Sequence, residues 1–375
     1  MKKSYIRLII FEIILFLLLF LNSFISSILN GYYMVLFLLT LLVIFKFVFG
    51  FEKDRHRYVK DTIFDILIIL LIGFLLFYLF GLIIGFVRTE NFYSVYGMKT
   101  FVLPLILTII LKELLKYYIV TKSEGSKLLI VMTTVLFIFF DITVMIPVYS
   151  FSSSYDIFMF FAVTLLPSIS NNIVSVYICS KLGYKPNLVW LLTINLYKYL
   201  LPIVPDTGEY ILSVIEFIFP LIIAYKVYYF FEKEKDKDVE RYHKRFNKVA
   251  LIVSSILVVT LVYFTSGEFH YHAVAIASGS MMPNISRGDV VVIEKIDNNF
   301  DKLEVGMVLA YRYDGIIIVH RIINIVHESD EYYFYTKGDA NYDPDRCVIS
   351  EDMVVGIVNV KIPYIGYPTV LLNEL

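Results

Sequence analysis

Three stretches near the C-terminal end carry residue types suited to covalent hydrolysis. SGSMMPNISRGDVVVIEK runs from Ser278 to Lys295, IVHRIINI surrounds His320, and YTKGDANYDPD surrounds Asp339. A serine hydroxyl is a weak nucleophile at neutral pH and needs a neighbouring base to take its proton as it attacks. An imidazole is such a base without tuning, because it titrates close to neutrality. Its second nitrogen then needs a partner that fixes tautomer and orientation, a task suited to a carboxylate. A Ser-containing turn, a strand-borne His and an Asp-rich loop, in that order, can build nucleophile, base and orienter.

The elements that must hold these groups differ sharply from the chain that precedes them. The 375 residues are 58% hydrophobic and only 18% charged, with a mean hydropathy of +0.73, beyond ordinary soluble usage. Long apolar runs fill the sequence up to Thr265, and the remainder has globular composition. A net charge of −1 gives no global pointer to nucleic acid. Cys179 and Cys347 suit neither a disulfide framework nor a zinc site and are expected to be packing residues.

Taking roughly twenty apolar residues as one crossing, the sequence predicts about nine spans. They are Ile6–Leu29, Tyr32–Phe51, Ile63–Val87, Phe101–Val120, Leu128–Val148, Ile157–Leu182, Leu188–Val204, Tyr210–Phe231 and Val249–Thr265. The first follows Lys2 and Lys3 as a secretory signal would, but it is too long and lacks a small-residue cleavage site, so a mature helix is expected. Lys53, Arg55, Arg57 and Lys60, then Lys122 and Lys127, then Lys181 and Lys185, then the cations from Lys233 to Lys248, fall in alternate loops. The intervening loops are almost free of Lys and Arg. The positive-inside rule therefore predicts a cytoplasmic N-terminus, and an odd number of spans places everything after Thr265 outside the cell membrane.

From Ala273 onward the period becomes strand-like. Val290–Ile293, Met307–Tyr313, Ile316–Ile325, Tyr332–Thr336 and Val354–Ile362 are β-branched or aromatic runs, and Asp314-Gly315 is a hairpin signal between two of them. The expected fold is a multi-span α-helical membrane domain followed by a small all-β domain of six to eight strands. The boundaries are a polytopic domain over 1–231, a charged cytoplasmic linker over 232–248, a ninth span anchoring the last domain over 249–267, and an extracytoplasmic all-β domain over 268–375. The linker is read as a spacer, either a solvated helix with i,i+4 pairs or a loop.

Taken together, SGSM at Ser278–Met281, RGD at Arg287–Asp289, HR at His320-Arg321, TKGDAN at Thr336–Asn341, Asp345 and the terminal VVGIVNVKIPYIGY resemble a type I signal peptidase. The similarity is to the His-containing branch of the endoplasmic reticulum, archaea and some Gram-positive bacteria. It covers little more than the final third of the chain, and the first eight spans have no counterpart in the usual member. The resemblance implies that Ser280 is the nucleophile and His320 the base, standing where the bacterial branch carries a lysine. The branch's two acidic positions map to Asp339 and Asp345. Either could contact His320; the expectation is Asp345 as orienter, with Asp339 holding the loop or assisting. The resemblance also implies an oxyanion hole made by the Ser280 N–H and the Ser278 hydroxyl, and an apolar groove shaped by Met281, Met282 and Pro283. The substrates implied are preproteins cut after small residues and bound as an added strand. The bilayer and the secretion machinery are the other partners; no cofactor, metal or nucleic acid is called for.

Competing readings are weaker. His327 is a rival base, and Asp343, before Pro344, reads as a turn former. His270 and His272 could ligate a metal at i,i+2, but no carboxylate or Cys cluster joins them. Tyrosines near span ends fit an interfacial belt. Glu12, Lys46, Lys112, Glu113, Asp141, Lys198 and Glu216 lie inside spans, where ionisable groups are costly and usually face a bundle interior. Of these, Glu12, Lys46 and Lys198 are expected to snorkel. The alternative they leave open is a transporter or membrane scaffold with an accessory peptidase-like β domain.

Overall fold

The computed structural model describes residues 3–24, 31–51, 56, 58–89, 95–149, 151–233, 240–266, 270–296, 300–328 and 331–372. The end of the first expected span at Leu29, several of the loop cations behind the orientation, and most of the charged stretch before Glu240 lie outside them. Packing divides the chain into two units. One comprises Met1–Phe74, Thr89–Leu200 and Thr207–Ser255; the other comprises Leu75–Arg88, Leu201–Asp206 and Ile256–Leu375.

Every apolar segment is helical over most of its length. In order come α1 (Lys3–Phe24), α2 (Tyr32–Phe49) and α3 (Val59–Ile84). A single turn, α4 (Val95–Gly97), leads through a π-helical turn (Met98–Val102) into α5 (Leu103–Lys122), followed by α6 (Lys127–Met145). The helix α7 (Ser154–Met159) likewise continues through a π turn (Phe160–Leu165) into α8 (Leu166–Leu182). Then come α9 (Lys185–Leu200), α10 (Gly208–Lys233) and α11 (Glu240–Ser266), which carries the second half of the charged linker as helix. Among the described residues, six helical stretches are long and apolar enough to cross a membrane: Ser4–Asn22, Tyr32–Phe49, Val59–Leu82, Lys127–Val148, Ser154–Leu182 and Gly208–Tyr229. The other three fall short for readable reasons. Lys112, Glu113 and Lys116 interrupt α5, α9 has only 16 residues, and the apolar part of α11 is confined to Leu251–Phe264.

The ends of the third and seventh expected spans need correction. Phe86–Arg88 (β1) and Ile203–Pro205 (β2) are not helical but pair as antiparallel strands, with Val87 opposite Val204. Pro202 and Pro205 cannot continue a helix ladder, and the buried Tyr78 hydroxyl donates to the Ile203 carbonyl at 2.6 Å.

Within the helical unit the ionisable groups of α5 and α6 named above are turned inward and paired. Glu113 and Lys116 on α5 are each 1% exposed, with Lys116 Nζ donating to Glu113 Oε1 at 2.5 Å and to Ser175 Oγ at 2.8 Å. Ser175 Oγ donates in turn to Glu113 Oε2 at 2.6 Å, and Asn187 Nδ2 reaches the same oxygen at 3.1 Å. Nearby, Lys112 pairs with Asp141, whose Oδ2 also accepts from Asn172 at 2.7 Å. Glu12 does not snorkel: it is 2% exposed and accepts from Thr133 Oγ1 at 2.6 Å, because its helix position faces the core formed with α2, α5 and α6. Lys46 and Lys198 do lie on the surface, over the Phe51 and Tyr199 rings.

A buried ion pair is weak evidence of stability while intact, yet removing one partner strands the other charge. Glu113→Ala is expected to destabilise the full chain by about 3–5 kcal/mol. Glu113→Ala with Lys116→Met should recover much of that loss, read as the shift of thermal unfolding in detergent.

The β unit holds a seven-stranded antiparallel sheet ordered β3-β4-β9-β5-β6-β7-β8. Its strands are β3 (Tyr271–Ala275), β4 (Val290–Lys295), β5 (Val308–Tyr313), β6 (Ile316–Glu328), β7 (Glu331–Lys337), β8 (Ile349–Ser350) and β9 (Val354–Ile362), and a short helix α12 (Tyr367–Leu372) follows. The expected hairpin is present: Asp314 (φ 49°) and Gly315 (φ 79°) both take the left-handed conformation that a two-residue connection between twisted strands demands. Side chains alternate across the strands and build two apolar layers. Ile276, Met281, Ile285, Val291, Ile293, Ala310 and Val319 form one; Leu303, Leu309, Tyr311, Ile322, Phe334 and Ile349 form the other.

Candidate active site

Ser280 lies in the loop between β3 and β4. That loop is pinned from beneath by Met281, 1% exposed, and Ile285, whose N–H donates to the Met281 carbonyl at 2.9 Å. At its far end the buried Asp289 accepts from the Ser286 N–H at 2.9 Å and the Tyr364 N–H at 3.3 Å, so the RGD turn is held by its own aspartate. The loop therefore has a fixed base and an open rim, on which Met282 and Pro283 are exposed.

His320 sits in the middle of β6, opposite Leu309 of β5, and is 9% exposed. Strand alternation sends it to the face of Tyr311 and Ile322 and sends Arg321 to the other. Its Nε2 stands 3.1 Å from Ser280 Oγ, and its Nδ1 stands 2.6 Å from Asp345 Oδ2. Nδ1–H donating to the carboxylate leaves Nε2 as the acceptor for the serine proton, which is the tautomer a general base requires. Ser278 Oγ lies 3.1 Å from Ser280 Oγ.

The two acidic positions that sequence reasoning left open are separated by the fold. Asp345 faces the imidazole. Asp339 instead receives both Nε (2.8 Å) and Nη2 (2.6 Å) of Arg321, while Asn284 Nδ2 donates to its Oδ2 at 2.8 Å. Arg321 Nη1 also donates to the Gly306 carbonyl at 2.7 Å. The Arg321 guanidinium holds the Asp339 carboxyl below the usual aspartate range, against a smaller opposing effect of burial. A depressed folded-state pKa means that this clamp is complete at neutral pH and is lost only as pH falls through that lowered range. A second tie joins the same two loops: the Ala340 N–H donates to the Ser280 carbonyl at 2.8 Å. The approach is close enough to demand glycine at 338, where a Cβ would stand 2.7 Å from the Ser280 carbonyl oxygen. The KGD stretch is thus an interlock with the serine loop as well as a turn.

The remaining candidates fall outside this group. Met281 faces the core, not the loop surface, so its side chain is not available to a groove as Met282 and Pro283 are. His327 is exposed near the end of β6 with its ring tilted against Tyr332, and Asp343 is exposed in its loop. His270 faces Glu294 at 3.1 Å while His272 is buried, so the two imidazoles do not converge. Sequence reasoning missed Tyr311 and Thr336, which bond to Asp345. For Thr336 the available signal was its place at the head of TKGDAN; for Tyr311 only the folded register tells, with Tyr311 opposite Ile318 and Thr336 opposite Ile322, two residues either side of His320.

Residues 249–328 match the family described as signal peptidase, peptidase S26. The signal peptidase complex catalytic subunit SEC11 of Candida albicans is 31% identical over 140 residues, which is 35% of this chain and 82% of that protein. The signal peptidase complex catalytic subunits SEC11C of Homo sapiens and Mus musculus are each 35% identical over 138 residues, covering 33% of this chain and 69% of theirs. More than two thirds of each relative is covered, while the greater share of this chain lies beyond the alignment. Through its C-terminal part, the chain belongs to the signal peptidase family, peptidase S26.

Proposed function

We infer that this chain is a membrane-bound serine endopeptidase that removes N-terminal signal peptides from exported preproteins. The observation that carries the reading is the continuous path from Ser280 Oγ through both nitrogens of His320 to Asp345. Ser280 Oγ attacks the scissile carbonyl as His320 Nε2 takes its proton. The C–N bond then breaks, the same nitrogen returns the proton to the leaving amine, and an acyl-enzyme remains on Ser280. Water, activated by His320, attacks that ester, and Ser280 recovers its proton. The tetrahedral oxyanion is met by the Ser280 N–H and the Ser278 hydroxyl. Asp345 orients the base, and Asp339 holds its loop against the serine loop through Arg321 and Asn284. Met282 and Pro283 border the cleft, with Met281 supporting it from the core. A Ser–His–Asp mechanism uses no metal or cofactor.

The nine apolar segments are read as nine spans with a cytoplasmic N-terminus. Support comes from the distribution of Lys and Arg among the loops. The polytopic domain of 1–231, the linker of 232–248 and the anchor of 249–267 then precede an extracytoplasmic catalytic domain of 268–375, placed to meet preproteins emerging from the secretion machinery at the outer face of the cell membrane. A transporter as the main role is not favoured, since the charged groups of α5 and α6 pair with one another.

The test is a processing assay with the full chain in proteoliposomes and a preprotein carrying alanine one and three positions before the cut. Cleavage should occur after the small residue and fall to background when either alanine becomes tryptophan. Processing that ignores both substitutions, or that Ser280→Ala carries out as fast as the unaltered chain, would overturn the assignment.

A further inference from the structure

The carboxylate that faces His320 belongs to an exposed loop, so its placement needs an explanation. Asn341, Tyr342, Asp343 and Pro344 are all exposed, and Tyr342 is 97% exposed. A segment with so little packing has conformational freedom that a catalytic carboxylate cannot have, because an orienting group must be held to a fraction of an ångström. What fixes Asp345 is a pair of strand-borne hydroxyls. Thr336 Oγ1 on β7 donates to Asp345 Oδ2 at 2.7 Å, and Tyr311 OH on β5 donates to the same oxygen at 3.1 Å. The backbone closes the same junction, since the Asp345 N–H donates to the Thr336 carbonyl at 2.9 Å. Thr336 is 0% and Tyr311 2% exposed, so both donors are locked by the core of the sheet.

The placement of these donors follows from strand register. Tyr311 lies opposite Ile318, and Thr336 lies opposite Ile322. Residues 318, 320 and 322 of β6 share one face, so the two hydroxyls flank the imidazole diagonally from the neighbouring strands. The carboxylate is thereby fixed to the same rigid element that carries the base. Burial, the largest cause, keeps the Tyr311 phenol above its ordinary range, so it remains a donor at any working pH.

We propose that Thr336 and Tyr311 are positioning residues of the peptidase centre, holding Asp345 Oδ2 where it can receive the His320 Nδ1 proton. The proposal rests on the Ser280–His320–Asp345 reading above. The bland alternative is that two buried hydroxyls merely found an acceptor. In that case their removal would lower stability without changing the rate of the folded enzyme.

The two are separated by steady-state kinetics of the full chain in proteoliposomes, with the folded fraction measured in parallel by thermal unfolding. Thr336→Val keeps shape and removes the donor. It should lower kcat per folded enzyme on the order of tenfold to a hundredfold with KM unchanged. Thr336→Ser restores a hydroxyl and should regain most of that rate, while Tyr311→Phe, losing the longer bond, should cost a few-fold in kcat. The double variant should be slower than either single one. Thr336→Val and Tyr311→Phe turning over at the unaltered kcat would overturn the proposal, as would a loss confined to KM or a Thr336→Ser no faster than Thr336→Val. Ser280→Ala is run alongside. If it abolishes cleavage while Thr336→Val does not slow it, only the positioning role fails; if it cleaves normally, the reading of the site fails first.

Discussion

Ser280→Ala is expected to lower kcat by about a millionfold, to the level set by oxyanion donors and binding alone. Alanine removes the only atom that can form the acyl bond and leaves the loop's supports in place. Those supports are Met281 in the core, the Ala340 N–H on the Ser280 carbonyl, and the caps of Asp289. The protein should therefore fold and insert as before. His320→Ala should cost nearly as much, because the hydroxyl then has no acceptor at 3.1 Å for its proton. The decisive result is the double variant: groups acting as one unit give a loss no larger than either single change. Single-turnover cleavage of a preprotein by the full chain measures all three. Additive losses would mean that the two residues do not act in one step.

The second large effect separates the two aspartates. Asp345→Asn should lower kcat by about ten-thousandfold, although the side chain hardly changes shape. An amide placed at 2.6 Å from Nδ1 can donate to it and hold the imidazole in the opposite tautomer, with its proton on Nε2 facing Ser280. The base is then already protonated on the side where it must accept. Asp339→Asn disturbs a different structure. It weakens the fork to Arg321 and the tie to Asn284, which hold one loop against another. The expected outcome is a much smaller loss in kcat together with a lower unfolding temperature. Comparable losses of rate from both substitutions would place Asp339 in the chemistry and undo the division of labour proposed here.

How much of this was legible beforehand varies by element. The proposed nucleophile and base, Ser280 and His320, could be named because their motifs are local strings: SGSM and HR each put the candidate residue in a fixed neighbourhood. The strands β4, β5, β6, β7 and β9 were readable from β-branched runs, and their hairpin from Asp314-Gly315, because period and turn chemistry are short-range properties. The helices were readable from apolar length, although the ends at Val87 and Val204 were not. Whether a terminal turn of apolar residues continues a helix or pairs with a distant strand depends on what else is near, and β1 and β2 are more than a hundred residues apart.

The choice between Asp339 and Asp345 belonged to the tertiary structure for the same reason. Both sit in one polar loop, and nothing local distinguishes them. Arg321 captures the first only because strand alternation turns it away from His320, and Asp345 reaches the imidazole only because Thr336 and Tyr311 arrive from the flanking strands. The inward face of Glu12, the burial of Met281 and the pairing of Glu113 with Lys116, Ser175 and Asn187 were settled similarly, by neighbours supplied from other helices and strands. Sequence alone determined which chemical groups this protein carries and in what kind of element each one lies, since those depend on residue type and short periods. Which group faces which was decided by packing across the chain, because hydrogen bonds and ion pairs act over a few ångströms and only the folded sheet and bundle bring their partners that close.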